Sequence, residues 1–319
     1  MAMKLDKKDR KILYQLDIDA RQSNSQIAKI VGLSKDAVGY RIRNLEKSKV
    51  IRGYTTIIDS KKLGYIFYRA NFNLIDLSPE KMDEMISFLR EEKNVWWIAR
   101  LDGSWNFIFA IWTKSDEEFR EFYNDRFCAK YRQYIKTSLI CPITNYTQYS
   151  RNYLLDNKEL KISPKFNKQY ADYDDIDLEI LRMLSKDART RLLDIATKLK
   201  INSMTVYRRI KNLEKKGIIL QYKADLNVNL LRGDFYSIKI NLSNMSQLRQ
   251  IENYIKTIPE MTAKTEAIGS YDIEFDLEVE DSKQYFSIME GLQAKFDSIR
   301  EIIYFRVLEN YKILYLPEI

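Results

Sequence analysis

The sequence contains no histidine and only two cysteines, Cys128 and Cys141, among its 319 residues. Without an imidazole, a Ser-His-Asp triad, a histidine general base and a Cys/His zinc site are all excluded. The two cysteines form no Cys-x-x-Cys motif, and we expect free thiols rather than a disulfide between them. We therefore predict neither a metal nor a cofactor.

Long apolar stretches are missing as well. No run approaches the roughly 18 apolar residues of a membrane span, and the first ten residues are charged throughout, unlike a signal peptide. A cytoplasmic protein with no membrane partner is expected. Because 45% of the residues are hydrophobic, the chain can form a proper core in each of about two to four domains.

Residues 34–47 predict a helix with two different faces. Ser34 is a typical N-cap, and Val38, Ile42 and Leu45 recur at helical spacing on one face. The other face is polar and basic, which suits the major groove of DNA, although such a face is often simply solvated. We expect DNA contacts from this face and its flank, namely from Ser34, Lys35, Asp36, Tyr40, Arg41, Arg43, Asn44 and Lys47.

The neighbouring segments favour DNA binding over a merely solvated face. Residues 25–31 predict a second helix, followed by a tight Gly32-Leu33 turn, and residues 9–16 predict a first helix that closes a three-helix core. Residues 50–58 are rich in β-branched side chains around Gly53, which is typical of a β-hairpin or wing. The combination predicts a winged helix-turn-helix.

The same unit occurs a second time, shifted by 168 positions. Asp19-Ala20-Arg21 aligns with Asp187-Ala188-Arg189, and Asn44-Leu45-Glu46-Lys47 with Asn212-Leu213-Glu214-Lys215. We interpret this agreement as an internal duplication. The DNA contacts expected from the second unit are Asn202, Ser203, Met204, Tyr207, Arg208, Arg209, Lys211, Asn212 and Lys215.

The two outer faces are related but not identical. Asp36, Tyr40 and Arg43 become Met204, Arg208 and Lys211 in the second unit, so the two helices are expected to read different bases. Arg41 and Arg209 are repeated on the helix flanks, where we expect them to contact the DNA backbone.

The positive charge is concentrated in these two units. Residues 1–58 contain 13 Lys and Arg against 6 Asp and Glu, and residues 174–226 contain 12 against 8. The two units thus carry more than the whole net charge of +8. Because the positive charge is concentrated in the two units predicted to enter the DNA groove, it favours binding to DNA phosphates.

After each unit the pattern changes to β-α-β-β-α-β. The first copy is predicted as strands 67–74, 95–101, 107–113 and 137–149 with helices 79–92 and 116–131, and the second copy covers 235–315. Each copy predicts a ferredoxin-like sheet with both helices on one face. We expect the two free faces to pack together and to bury Trp96, Phe107 and Phe109.

These patterns predict an α+β protein in which two winged helix-turn-helix domains alternate with two βαββαβ ferredoxin-like domains. The expected boundaries are 1–60 and 61–150 for the first pair, 151–172 for a polar linker, and 173–228 and 229–319 for the second pair.

The segment Gly-Leu-Ser-x3-Val-x2-Arg-Ile-x-Asn-Leu-Glu-x3-Val-Ile-x-Gly-Tyr at 32–54, with the turn Gly269-Ser270-Tyr271-Asp272, resembles the Lrp/AsnC (feast/famine) family of transcription regulators. Members of that family carry one such module and dimerise through their sheets. The resemblance implies a sequence-specific double-stranded DNA-binding regulator in which one chain acts as a pseudo-dimer on an asymmetric operator of two half-sites. Whether two copies of the chain also form a homodimer is left undecided by the sequence.

The resemblance also implies an effector, such as an amino acid, bound near the glycine turns at Gly103, Asn106, Gly269 and Asp272. A purely conformational role of Gly103 and Gly269 is the alternative. Two positions depart from the family pattern. Lys200 replaces the turn glycine of the second unit, which we expect to strain or reshape the turn, and Asn106 stands where an acid is usual.

Two other functions must be weighed. An architectural protein that coats DNA would show the same residues. The siroheme decarboxylases share the Lrp/AsnC-like architecture, but histidine is expected among their functional residues and this chain has none. We therefore predict that the protein is not an enzyme.

Overall fold

A computed structural model describes residues 5–155, 170–313 and 316. Most of the predicted linker, residues 156–169, lies outside the described residues. The first half of the chain begins with three helices and one strand, which are α1 (Lys7–Ile18), α2 (Asn24–Val31), α3 (Lys35–Lys47) and β1 (Ile51–Ile58).

A βαββαβ segment follows. It consists of β2 (Ile66–Leu74), α4 (Pro79–Glu91), β3 (Val95–Gly103), β4 (Phe107–Thr113), the helix α5 and β5 (Ile135–Gln148). The helix α5 joins Asp116–Arg120, a π-helical segment Glu121–Cys128 and Ala129–Tyr131. Short 3-10 turns lie at Ser60–Leu63, Arg132–Tyr134 and Asn152–Leu154.

The second half repeats this order. Its elements are α6 (Asp175–Lys186), α7 (Leu192–Leu199), α8 (Ser203–Lys215), β6 (Ile219–Leu226), α9 (Val228–Leu231), β7 (Asp234–Leu242), α10 (Leu248–Ile255), β8 (Met261–Ala267), β9 (Ile273–Val279), α11 (Ser282–Lys295) and β10 (Ile299–Ile313). None of the described helices is long and apolar enough to cross a membrane. Cys128 and Cys141 are free thiols, as predicted.

The predicted three-helix core is confirmed. The Ser34 hydroxyl accepts a hydrogen bond from the N–H of Ala37 at 3.1 Å and so begins α3. Ser23 and Gln26 form a capping box at the start of α2. The apolar faces of α1, α2 and α3 pack together in a common core formed by Ile12, Leu13, Leu16, Ile27, Val31, Val38, Ile42 and Leu45.

The predicted wing is wrong in its pairing. β1 does not fold back on its own unit but pairs antiparallel with β6 of the second unit, from Ile51 opposite Leu226 to Ile58 opposite Ile219. The β-branched pattern correctly indicated a strand. The residue pattern of a strand does not indicate which other strand it pairs with. Here the partner strand comes from the second copy of the unit.

The other eight strands form one closed barrel in the order β10-β3-β4-β2-β5-β8-β9-β7. The long strands β5 and β10 close it. β5 pairs with β2 and then, beyond Ile143, with β8 of the other half, while β10 pairs with β7 and then with β3. We had expected two separate sheets in face-to-face contact. The hydrogen bonds instead join both pairs of edges, so the barrel has no open edge among its described strands.

Alternate residues of each barrel strand face opposite sides. Phe107 and Phe109 of β4 pack under α4 and α5 with Met85 and Phe127, so their predicted place between the sheets is wrong. Their neighbours Ile108 and Trp112 lie on the interior face instead. The sequence pattern could not separate these faces, because every residue of β4 is buried.

A buried ionic network ties the first helical unit to the barrel. Arg151 donates to Asp17 of α1 at 2.6 Å and to Glu278 of β9 at 2.9 Å. Lys223 of β6 lies 3.2 Å from Asp17, and the Tyr153 hydroxyl donates to Glu278. Burial raises the pKa of Asp17, but Lys223 and Arg151 outweigh it and hold that pKa below its ordinary value.

Replacing Arg151 by methionine should destabilise the fold strongly. Asp17 and Glu278 would lose their shared cation while remaining buried, which typically lowers the free energy of unfolding by about 3–5 kcal/mol. The matched control is Arg52→Met, which removes a 2.7 Å pair with Asp225 whose side chains are 42% and 34% exposed. Its effect should stay below about 1 kcal/mol. Chemical denaturation measures both, and equal losses would contradict the assigned role of Arg151.

Candidate nucleic-acid interface

The outer faces of α3 and α8 are exposed, as predicted. Tyr40 is 62% exposed, and the other exposed predicted contacts on the first unit are Ser34, Lys35, Asp36, Arg43, Asn44 and Lys47. On the second unit they are Asn202, Met204, Tyr207, Arg208, Lys211, Asn212 and Lys215, with Ser203 half-buried. Ser34 and Asn202 also cap their helices.

Arg41 and Arg209 are half-buried and form ion pairs within their own units. The Arg41 guanidinium donates to Asp6 and Asp9 at 2.7 Å each, and Arg209 donates to Asp174 at 2.8 Å and to Asp177 at 2.9 Å. These carboxylates lie at the starts of α1 and α6. The two arginines therefore hold each recognition helix against the first helix of its unit. Their contact with the DNA backbone stays a prediction.

The two helical units are joined by reciprocal hydrogen bonds. The N–H of Ala20 donates to the Tyr222 carbonyl at 2.9 Å, and the N–H of Ala188 donates to the Tyr54 carbonyl at 3.0 Å. Arg21 donates to the Ala188 carbonyl at 2.6 Å, while Arg189 donates to the Ala20 carbonyl at 2.7 Å. Each contact recurs with the units exchanged, so an approximate twofold axis relates them.

Two tyrosines extend this junction to the recognition helices. The guanidinium of Arg189 lies 4.3 Å from the centre of the Tyr54 ring, and Tyr54 donates to Glu46 of α3 at 2.6 Å. In the other direction Arg21 covers Tyr222, which donates to Glu214 of α8 at 2.8 Å. Burial, helped by the adjacent glutamate, raises the pKa of both tyrosines.

Sequence reasoning missed this junction. The repeated residues Arg21, Tyr54 and Glu46 belong neither to the apolar stripe nor to the outer face of α3. Their repetition at the same 168-residue offset is the sequence signal that could have indicated a contact between the units. It marks the surface through which the units contact each other.

The turn between α7 and α8 has the same backbone conformation as its counterpart in the first unit, although Lys200 replaces glycine there. Lys200 adopts φ +55° and ψ +41°, close to the φ +67° and ψ +53° of Gly32 in the first unit. The turn is therefore not reshaped. A side chain in the left-handed region is unfavourable, so the expected strain is present in the second unit.

The four predicted effector residues lie in the two glycine turns, where Asn106 and Asp272 form hydrogen bonds to neighbouring strand ends. Asn106 accepts from the N–H of Leu74 and donates to the Leu74 carbonyl, each at 2.8 Å. Asp272 accepts from the N–H of Leu242 at 2.7 Å at the equivalent strand end. Gly103 has φ +122°, and an added Cβ would lie 2.6 Å from the Tyr304 carbonyl oxygen. Its conformational role is thus explained, whereas Gly269, at φ +72°, faces open space.

Exchanging Gly32 and Lys200 between the two turns should show how much the left-handed backbone conformation of Lys200 costs in stability. Gly32→Lys should lower the free energy of unfolding by about 1 kcal/mol, because it places a side chain in the left-handed region. Lys200→Gly should change it by about 0–1 kcal/mol in the stabilising direction, since relief of strain is partly offset by glycine's unfolded-state entropy. Denaturant unfolding measures both. A stable Gly32→Lys together with a strongly destabilised Lys200→Gly would contradict this assignment.

Comparison with protein families supports both helical units. Residues 5–46 match the family described as the AsnC-type helix-turn-helix domain. Residues 173–219 match the family described as winged helix-turn-helix DNA-binding. The two matches coincide with α1–α3 and α6–α8.

Among curated proteins, the chain is similar to the HTH-type transcriptional regulator LrpA of Pyrococcus abyssi. The two are 34% identical over 122 residues, which is 38% of this chain and 85% of LrpA. It is also 34% identical over 126 residues to the transcriptional regulator AzlB of Bacillus subtilis, or 39% of this chain and 80% of AzlB. Each relative thus matches about two fifths of this chain.

Among solved structures, the siroheme decarboxylase NirDL has a similar fold over nearly the whole chain. The TM-score is 0.65 at 14% identity, and the match covers 97% of this chain and 94% of NirDL. At this identity the likeness concerns the fold alone. It nevertheless contradicts our prediction that the protein is not an enzyme, because the fold used to argue for a regulator is also the fold of an enzyme.

Proposed function

Because this chain belongs to the Lrp/AsnC family of transcription regulators, we propose that it binds double-stranded DNA through α3 and α8 and regulates transcription. The observation that carries the proposal is the reciprocal junction between the units. It presents two exposed, basic recognition helices from one chain in an approximately twofold arrangement. A dimer of single-module chains would present its helices in the same way.

Major-groove binding by both helices would place them about 34 Å apart on one side of the duplex. We therefore propose an operator of two half-sites. The half-sites should differ, since Asp36, Tyr40 and Arg43 are replaced by Met204, Arg208 and Lys211. Tyr207 adds a ring where the first helix has Gly39.

The remaining assignments follow from this proposal. Segments 1–60 and 173–228 would be the DNA-binding units, 61–150 and 229–319 the effector-type domains, and 151–172 the linker. The protein would act in the cytoplasm, where prokaryotic DNA lies, and a homodimer would carry four helical units. An amino-acid effector at the glycine turns gains no support, since Asn106 and Asp272 bind strand ends.

Affinity for duplex DNA should fall steeply with salt, since each neutralised phosphate contributes a slope of about −0.9 in log K against log salt. Lys47→Gln with Lys215→Gln should weaken binding to all sequences alike and reduce the slope by about 2. The exposed barrel lysine Lys136→Gln is the control and should change neither quantity. Fluorescence anisotropy across a salt series measures both. A slope that is the same in the double variant and the wild type would remove these lysines from the interface.

Making the first helix imitate the second should alter specificity. The double variant Tyr40→Arg, Arg43→Lys should shift the preferred site towards a palindrome, each base contact contributing about 1–3 kcal/mol of discrimination. Selection of binding sites from random duplexes, with wild type and variant in parallel, tests this. A palindrome for the wild type, or an unchanged preference for the variant, would show that these side chains do not read bases. A long, uniform footprint would favour the architectural alternative.

A further inference from the structure

The recognition helix of the second unit begins with exposed apolar side chains. Met204 and Tyr207 of α8 are 56% and 46% exposed. Because they are three residues apart, they are neighbours on one face of the helix. The corresponding positions of α3 in the first unit are occupied by Asp36 and Gly39, and the exposed ring of α3, Tyr40, stands one position later. The two recognition helices therefore differ in the chemistry of their first turns.

Met204 lies where a recognition helix approaches the bases. The helix begins at Ser203, and the N–H of Met204 donates to the Asn202 side chain at 2.7 Å. The N-terminal residues of a recognition helix contact base edges in the major groove. Because the Cα–Cβ bonds of a helix tilt towards its N-terminus, the Met204 side chain projects towards that end of α8. Lys211 and Lys215 are exposed on the same face further along the helix, where they can neutralise phosphates beside an apolar base contact.

Tyr207 places an aromatic ring on the same side of the helix. Lys211 Nζ lies 5.9 Å from the centre of this ring and pairs with Glu214 at 2.6 Å. The thioether of Met204 is at most a weak acceptor, and the face of the tyrosine ring carries no hydrogen-bond donor. These two surfaces therefore cannot replace the hydrogen bonds of polar base edges. The apolar partner that the major groove offers is the 5-methyl group of thymine.

The first unit has polar groups at the equivalent place. A Cβ added at Gly39 would lie 3.0 Å from Asn24 Nδ2 and 3.4 Å from Arg43 Nη1. Side-chain amides pair well with adenine, and guanidinium groups pair well with guanine. Asp36 is exposed, and a carboxylate accepts a hydrogen bond from the amino group of cytosine. The first unit thus presents hydrogen-bonding groups where α8 is apolar.

We propose that the second unit recognises its half-site through the 5-methyl groups of thymines, which Met204 and the Tyr207 ring contact in the major groove. The first unit reads its half-site through polar side chains instead, with Asp36 accepting a hydrogen bond from a cytosine. This inference rests on the proposed binding of DNA by α3 and α8. It adds that the two half-sites differ in the kind of contact that specifies them, with thymine facing Met204 in one and cytosine facing Asp36 in the other.

Replacing thymine by uracil tests the proposal on the full chain, because uracil keeps every hydrogen-bonding group of thymine and lacks only its methyl group. The duplex is the site selected from random sequences, with each thymine replaced in turn, and fluorescence anisotropy measures the affinity. Uracil at a position contacted by α8 should weaken binding about fourfold, the worth of one buried methyl group. Uracil in the half-site bound by α3 should leave the affinity unchanged.

Side-chain variants assign the contact. Met204→Ala and Tyr207→Ala should each abolish the preference for thymine over uracil at one position, whereas Tyr207→Phe keeps the ring and should keep the preference. The matched control is Met245→Ala, because Met245 is 59% exposed just before α10 and lies outside both recognition helices. The ratio of the two affinities within one variant does not depend on the folded fraction, since the same preparation binds both duplexes.

A uracil effect that Met204→Ala abolishes and Met245→Ala retains would support the inference. Equal affinities of the wild type for thymine and uracil duplexes at every position would overturn it, as would a thymine preference that survives in both alanine variants. Either of these results leaves the proposed DNA binding intact, because the wild type still binds the duplex. A wild type that binds neither duplex would overturn the proposed function and this inference together.

Discussion

The antiparallel pairing of β1 with β6 is the constraint on which the rest of the structure depends. Either strand alone would leave a row of backbone N–H and carbonyl groups without partners beside a small helical unit. Pairing them satisfies these groups and places the units face to face. The reciprocal contacts of Arg21 and Arg189 and the relative position of α3 and α8 follow from it.

Joining the two modules in one chain has allowed their barrel interiors to differ. On the interior face of β4 stand Ile108, Ala110 and Trp112, and at the corresponding positions of β9 stand Glu274, Asp276 and Glu278. The faces under the helices remain apolar in both halves. A homodimer must place the same residues on both sides of its axis, whereas this chain has an apolar face on β4 and a charged face on β9.

Buried ion pairs connect the helical unit to the barrel and the two halves of the barrel to each other. The Asp17–Arg151–Glu278 network joins α1 to the barrel, while Arg69 and Glu274 join the two halves across its interior. Such networks tolerate few arrangements, because an unpaired buried charge is costly. The likeness to NirDL shows that this architecture is not confined to regulators, so function has to be argued from the recognition helices.

The amino-acid sequence by itself determined the elements that depend on neighbouring residues. Helical periodicity, the Ser34 cap and the 168-residue repeat predicted α1–α3, their copies and both βαββαβ segments, because these signals are local. Only the tertiary structure decided which strand pairs with β1, which face of β4 lies inside the barrel, and that Arg41 binds Asp6 and Asp9 rather than standing free. Those outcomes depend on groups brought together from distant parts of the chain, and periodicity carries no information about such partners.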